Sequence, residues 1–179
     1  MNKQELRKII RERKRLHSTE ERLAMSRRIA SILLEKIREE DCYSTILLYH
    51  SLPDEVDTHE LIPALSLLGK TVLLPTIAGD ELELHQYIGE TALALSPAFG
   101  IHESTGPLFT DYRKIDLAII PGMAFTPTGI RLGRGRGYYD RLLPKLKCPL
   151  VGVAFPFQIV DMVPCEKHDI RMTQVISSV

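Results

Sequence analysis

The sequence predicts an α/β fold: a mostly parallel sheet with helices on both faces, one antiparallel hairpin and an N-terminal helical pair. Three observations carry this. From residue 45 onward, short apolar runs alternate with helical stretches, as parallel strands and their crossover helices do. The first forty or so residues instead repeat their apolar side chains at helical intervals. Within the later region, Glu81-Leu82-Glu83-Leu84-His85-Gln86-Tyr87 alternates behind an Ala78-Gly79-Asp80 turn, the pattern of a half-exposed strand.

Taken in order, residues 2–16 read as a helix with Leu6, Ile9, Ile10, Arg13 and Leu16 on one stripe. Ser18-Thr19-Glu20-Glu21 has capping-box spacing and starts a second helix, which carries Leu23, Ala30, Leu33, Leu34 and Ile37 up to about residue 39. Residues 45–49 read as a buried strand. A helix over 58–68 is entered through Asp57 or Thr58, with Pro63 tolerated only near its first turn. Strands follow at 71–75 and 81–87, and the stretch 96–112, rich in Pro, Gly, Ser and Thr, reads as loop. The 115–120 run is the central strand, a short helix begins near 137–138 and ends by Pro144, and strands at 150–155 and 173–176 complete the sheet. With no repeat, low-complexity tract or linker, residues 1–179 read as one domain with a core large enough to need no disulfides.

Composition narrows the function. The 23 basic and 23 acidic residues cancel, so no global field favours nucleic acid or a membrane, and neither is expected as a partner. The charge is uneven, with residues 3–15 strongly basic. Cys42, Cys148 and Cys165 are odd in number and lack a C-x-x-C pair, which suits a reduced cytoplasmic setting. The charged N-terminus does not resemble a signal peptide, and the apolar runs are about half a membrane span.

Directly after the central strand comes Pro121-Gly122-Met123-Ala124-Phe125-Thr126-Pro127-Thr128-Gly129-Ile130-Arg131-Leu132-Gly133-Arg134-Gly135-Arg136-Gly137-Tyr138-Tyr139-Asp140-Arg141. Gly133, Gly135 and Gly137 permit close backbone approach, and Arg131, Arg134 and Arg136 suit a multiply charged anion. Together they point to bound phosphate at the carboxyl end of a strand, where such sheets place ligands. The spacing matches neither G-x-x-x-x-G-K-[ST] nor G-x-G-x-x-G. An RG-type nucleic-acid segment is a further possibility, although such segments are usually disordered repeats.

The run from Arg131 to Asp140 closely resembles the signature of the 5-formyltetrahydrofolate cyclo-ligase (methenyltetrahydrofolate synthetase) family. Lys3-Gln4-Glu5-Leu6-Arg7 resembles its basic N-terminal motif, Pro53-Asp54-Glu55-Val56-Asp57-Thr58 its acidic motif, and His168-Asp169 its late acidic position. Arg136 departs from the family, whose members carry Lys or Gly there.

The resemblance implies ATP-dependent, Mg²⁺-assisted closure of 5-formyltetrahydrofolate to the 5,10-methenyl form by a monomer, with or without a polyglutamate tail on the substrate. By similarity, Lys3 and Arg7 contact ATP phosphates. Arg131, Leu132, Gly133, Arg134, Gly135, Arg136, Gly137, Tyr138 and Tyr139 wrap the nucleotide. Arg134, Arg136 and Tyr138 are the catalytic candidates, and Asp140 and Asp169 resemble Mg²⁺ ligands. His50 and Glu55, with 134–138, line the folate side, Glu55 accepting from the donor-rich pterin edge. Tyr138 is the chosen flat platform, ahead of Phe125 and Tyr87. Asp54 and Asp57 read more simply as helix-entry charges, and Asp169 can be read as a surface-loop residue. A non-catalytic nucleotide or folate binder and an RNA-binding module remain rivals.

Overall fold

The computed structural model describes residues 1–96, 100–166 and 169–178. Four α-helices are present among them: α1 (Lys3–Arg15), α2 (Thr19–Glu39), α3 (Leu61–Leu67) and α4 (Tyr138–Leu142). The strands are β1 (Thr45–Leu47), β2 (Thr71–Ala78), β3 (Glu81–Gln86), β4 (Leu93–Ser96), β5 (Ile101–Ser104), β6 (Leu108–Phe109), β7 (Leu117–Ile120), β8 (Ala124–Phe125), β9 (Arg131–Leu132), β10 (Leu150–Ala154) and β11 (Gln174–Ser177).

Seven strands make one sheet in the order β11-β10-β7-β1-β2-β3-β6. The five from β11 to β2 are parallel, and the β2–β3 hairpin then turns the edge antiparallel. Alternate residues face opposite layers, because side chains alternate along a strand. Ile46, Leu48, Val72, Leu74, Leu117, Ile119, Val151 and Val153 pack with Ile29, Leu33 and Ile37 of α2 and Leu61, Ile62 and Leu65 of α3. Leu47, Leu73, Ala118, Ile120 and Ala154 pack with Leu142 of α4 and the adjoining Leu143. Both faces are therefore covered, as the apolar runs predict.

Three details differ from the sequence reading. The 96–112 stretch holds strands as well as turns: β4 pairs with β5, and β6 joins the sheet through Leu84↔Phe109. A further two-stranded pair, β8–β9, folds the signature back on itself. In α1 the buried positions are Leu6, Ile10 and Lys14, while Arg13 and Leu16 are exposed. Pro63 falls in the first turn of α3, where its missing N–H breaks no intrahelical bond.

Helix α1 does not lie on the main sheet. A capping box between Asn2 and Glu5 starts it. Leu6 and Ile10 then pack on Met123, Ala124, Leu132 and Val163. This docks its first turns against β8 and β9, the two strands that frame the glycine–arginine loop.

Candidate active site

In the sheet the chain winds from β1 to β2 on one side and from β7 to β10 and β11 on the other. The order reverses between β1 and β7, and a crevice outside the carboxyl ends of strands is expected at that point. A cavity of about 350 Å³ opens there. Tyr49, His50, Leu52 and Glu55 line it after β1, and Pro121 and Gly122 line it after β7. The loop 131–140 lines it along its whole length, α1 contributes Lys3 and Arg7, and Asp169 lines it beside Lys3. Apart from the weaker platform candidates Phe125 and Tyr87, every residue assigned to the site from the sequence thus lines this cavity, although the segments are separated by up to 166 positions. His168 lies outside the described residues.

The glycines of the loop also sit against arginine side chains. A Cβ on Gly133 would lie 3.1 Å from Arg131 Nη1, one on Gly135 3.3 Å from Arg7 Cζ, and one on Gly137 2.6 Å from Arg141 Nη1. Each glycine lies beside a guanidinium, whose flexible side chain could shift to admit a Cβ. Gly135 and Gly137 also have φ of 99° and 73°, which side-chain-bearing residues rarely adopt. Arg7 Nε donates to Gly133 O at 2.8 Å, and Arg141 donates from Nε to Asp80 O and from Nη2 to Arg136 O. The loop is therefore tied to α1 at one end and to the β2–β3 turn at the other. Helix α4, which follows it, spans only five residues, so its dipole adds little.

Several charges are already spoken for. Arg131, with a side chain only 5% exposed, donates from Nη2 to Asp140 Oδ1 at 2.7 Å and from Nη1 to Pro121 O. Burial pulls its guanidinium below the ordinary value, and Asp140, Tyr139 and Asp169 act against that. Lys3 Nζ sits 3.2 Å from Asp169 Oδ2 and 3.5 Å from Glu166 Oε1. Arg134 donates to Asp54 through Nη2 and to Glu55 Oε1 through Nε at 3.0 Å. Glu55 Oε2 in turn accepts from the Leu52 amide, which fixes its carboxylate.

Asp54 is accordingly not a helix-entry charge; α3 starts at Leu61, and Asp54 bridges Lys14 and Arg134. Asp57 instead accepts from the His59 amide in the turn ahead of that helix. Phe125 and Tyr87 are 0% and 5% exposed and belong to the core, which leaves Tyr138 as the aromatic residue at the cavity, with Tyr49 and Tyr139 deeper in its wall. Sequence reasoning missed the apolar wall of Pro75, Ile77, Leu82 and Ile101, and Glu103, which accepts from the Ile77 amide at 3.0 Å. Two of those residues stand on β5, inside the segment read as loop.

His50 sits among histidines, tilted against two of them. Its ring centroid is 4.2 Å from that of His59 and 5.3 Å from that of His102, and its Nδ1 is 3.2 Å from His59 Nε2. Burial first, then the two imidazoles, lower its pKa to about 4, against a weaker upward pull from Glu90 and Asp57. The folded protein thus refuses a proton that the unfolded chain accepts near 6.5. Stability is expected to fall as pH drops from about 6.5 toward about 4. His50→Gln should flatten that part of the profile. Thermal melts of both proteins at about pH 4.5 and about pH 7 check this, and equal slopes would refute it.

A family model described as the 5-formyltetrahydrofolate cyclo-ligase family matches residues 1–178. The chain belongs to that family. Among cyclo-ligases, it is 29% identical to the 5-formyltetrahydrofolate cyclo-ligase of Mus musculus, over 97% of this chain and 92% of the relative. It is 34% identical to that of Escherichia coli K12, over 74% and 77%. The NMR structure of Aquifex aeolicus 5,10-methenyltetrahydrofolate synthetase superposes with a TM-score of 0.85 at 35% identity, covering 98% of this chain and 89% of that one. The Mycoplasma pneumoniae 5,10-methenyltetrahydrofolate synthetase gives 0.81 at 26%, covering 99% of each. The mostly parallel sheet and N-terminal helical pair are the architecture of these synthetases. No helix among the described residues is long and apolar enough to cross a membrane.

Proposed function

We propose that this enzyme converts 5-formyltetrahydrofolate and ATP to 5,10-methenyltetrahydrofolate, ADP and phosphate in the cavity between β1 and β7. The observation that carries the reading is the convergence there of the cationic loop, the basic turn of α1 and a fixed carboxylate, Glu55. A formyl amide is a poor electrophile, and its oxygen leaves badly. Transfer of the γ-phosphoryl group to that oxygen releases ADP and makes it a leaving group. N10 then attacks the formyl carbon, phosphate departs with the C–O bond, and N10 gives up its proton as the ring closes.

The chain's task is to align the two substrates and spread developing charge. Lys3, Arg7, Arg134 and Arg136, with the amides of 131–139, are the donors suited to the triphosphate. Buried Arg131 acts mainly by holding Asp140. On the opposite side, Glu55 can accept from the pterin while Pro75, Ile77, Leu82, Ile101 and Tyr138 present apolar surface to the rings. His50 completes that wall as a neutral group.

For Mg²⁺ the donors fit in part. Asp140 Oδ1 is taken by Arg131, but Oδ2 has no hydrogen bond among the described residues and its side chain is 60% exposed. Asp169 lines the same cavity, and its charge, like that of Asp140, acts on the Arg131 guanidinium. No cluster of three His, Cys, Asp or Glu side chains suited to a metal occurs among the described residues. Two carboxylates completed by phosphate oxygens and water are what Mg²⁺ prefers. When bound, the ion would neutralise charge on the phosphates. The reading also takes the enzyme to be a cytoplasmic monomer, consistent with its free cysteines, acting on folate with or without a polyglutamate tail and without nucleic acid or membrane.

Protein mixed with MgATP and 5-formyltetrahydrofolate should raise near-ultraviolet absorbance as methenyl product forms, with equal ADP release. A protein that saturates with ligand but releases no ADP would be the non-catalytic binder instead. Asp140→Asn keeps an acceptor for Arg131 but loses the charge. It should lower turnover roughly 100-fold at low Mg²⁺, with partial recovery in excess metal. An unchanged Mg²⁺ titration would remove Asp140 from the ligand set.

A further inference from the structure

Four charged groups from three segments form a continuous chain beside the cavity, and two of them never reach it. Lys14, on the inner face of α1 and 7% exposed, places Nζ 2.8 Å from Asp54 Oδ2. The other oxygen of Asp54 accepts from Arg134 Nη2, and Arg134 Nε pairs with Glu55. Arg134 and Glu55 line the cavity; Lys14 and Asp54 do not.

A buried lysine is costly unless its charge is matched and hydrogen-bonded, so something must justify Lys14 on an apolar helix face. What it does is anchor one oxygen of Asp54, leaving the other for the arginine. The lysine and arginine hydrogen bonds outweigh the burial that would otherwise raise the Asp54 carboxyl, and hold it below its ordinary value. For Arg134, burial pulls downward, but Glu55 and Asp54 outweigh it and hold the guanidinium above its ordinary value. An arginine bound through two of its three nitrogens has a fixed plane. Its third, Nη1, has no hydrogen bond among the described residues. Fixing that plane aims Nη1 before a ligand arrives, which removes the ordering cost at the moment of reaction.

The geometry points to Asp54, anchored by Lys14, as the positioning residue that sets the orientation of Arg134 for phosphoryl transfer. Lys14 sits on the helix that also carries Lys3 and Arg7, so the same contact registers α1 against the loop. This inference rests on the reading of Arg134 as a donor to the transferred group.

The test is a double-mutant cycle on the full-length enzyme with MgATP and 5-formyltetrahydrofolate. Asp54→Ala is expected to lower kcat about 10- to 100-fold, the penalty of misaiming a catalytic group, with a smaller change in either KM. In an Arg134→Ala background the same change should cost less than about twofold, because no guanidinium remains to orient. Lys14→Met should reproduce a weaker version of the loss, again only when Arg134 is present. If Asp54→Ala folds poorly, Asp54→Leu, which keeps the bulk but offers no acceptor, takes its place in the cycle. A full-sized loss on the Arg134→Ala background, or no loss in the parent, overturns the positioning role while leaving the reaction untouched. If Arg134→Ala alone leaves turnover intact, the reading of Arg134 fails and the inference falls with it.

Discussion

Arg134→Ala is expected to lower turnover by about 10²–10³-fold, the usual cost of removing one preorganised donor from developing charge. The fold should survive it. The side chain is 40% exposed and packs no core, and its removal leaves Asp54 still held by Lys14 and Glu55 still held by the Leu52 amide. Arg134→Lys should recover little. An ammonium cannot engage Asp54 and Glu55 through two nitrogens and present a third to a ligand. Steady-state kinetics beside a circular-dichroism melt decide the matter. Turnover within threefold of the parent, with the protein folded, would place the donor elsewhere in the loop.

Phe125→Ala should act in the opposite way, through stability, at a cost of about 3–5 kcal/mol. The ring is fully buried between two backbones that only glycine allows so close. A Cβ on Gly122 would lie 2.6 Å from its Cζ, and one on Gly152 would lie 2.6 Å from its Cε1. Its removal leaves a hole that neither glycine can fill, beneath the Gly122 that lines the cavity. Against a typical net stability of about 5–15 kcal/mol, that loss takes a large share. Urea unfolding measures it, and a change below about 1 kcal/mol would mean the site relaxes around the gap. Phe125→Leu should cost far less.

Much of the fold was legible because it follows local rules. Ser18 and Glu21 form the capping box that their spacing predicts, and α2 begins there. The apolar runs at 71–75, 115–120 and 150–155 supplied β2, β7 and β10 because each is short, β-branched or leucine-rich, and bounded by turn formers. The misread stretch shows the limit. In β4 and β5 only Ser104 is buried, so no apolar alternation marks them, and their strand character comes from pairing with each other. Lys14 shows it again. On a helical wheel it shares the face of Leu6 and Ile10, yet nothing local says that a carboxylate forty positions away will meet it.

The glycine–arginine run, read alone, pointed to phosphate, with an RG-type nucleic-acid segment as its alternative, because residue type narrows which ligands a loop can bind. The family motifs added the substrate. What only the tertiary structure decided is how those charges are shared: Arg131 with Asp140, Lys3 with Asp169, and Arg134 between Asp54 and Glu55. Ion pairing depends on distance and on the surrounding dielectric, both of which exist only once β1, β7 and α1 have been brought to the same crevice.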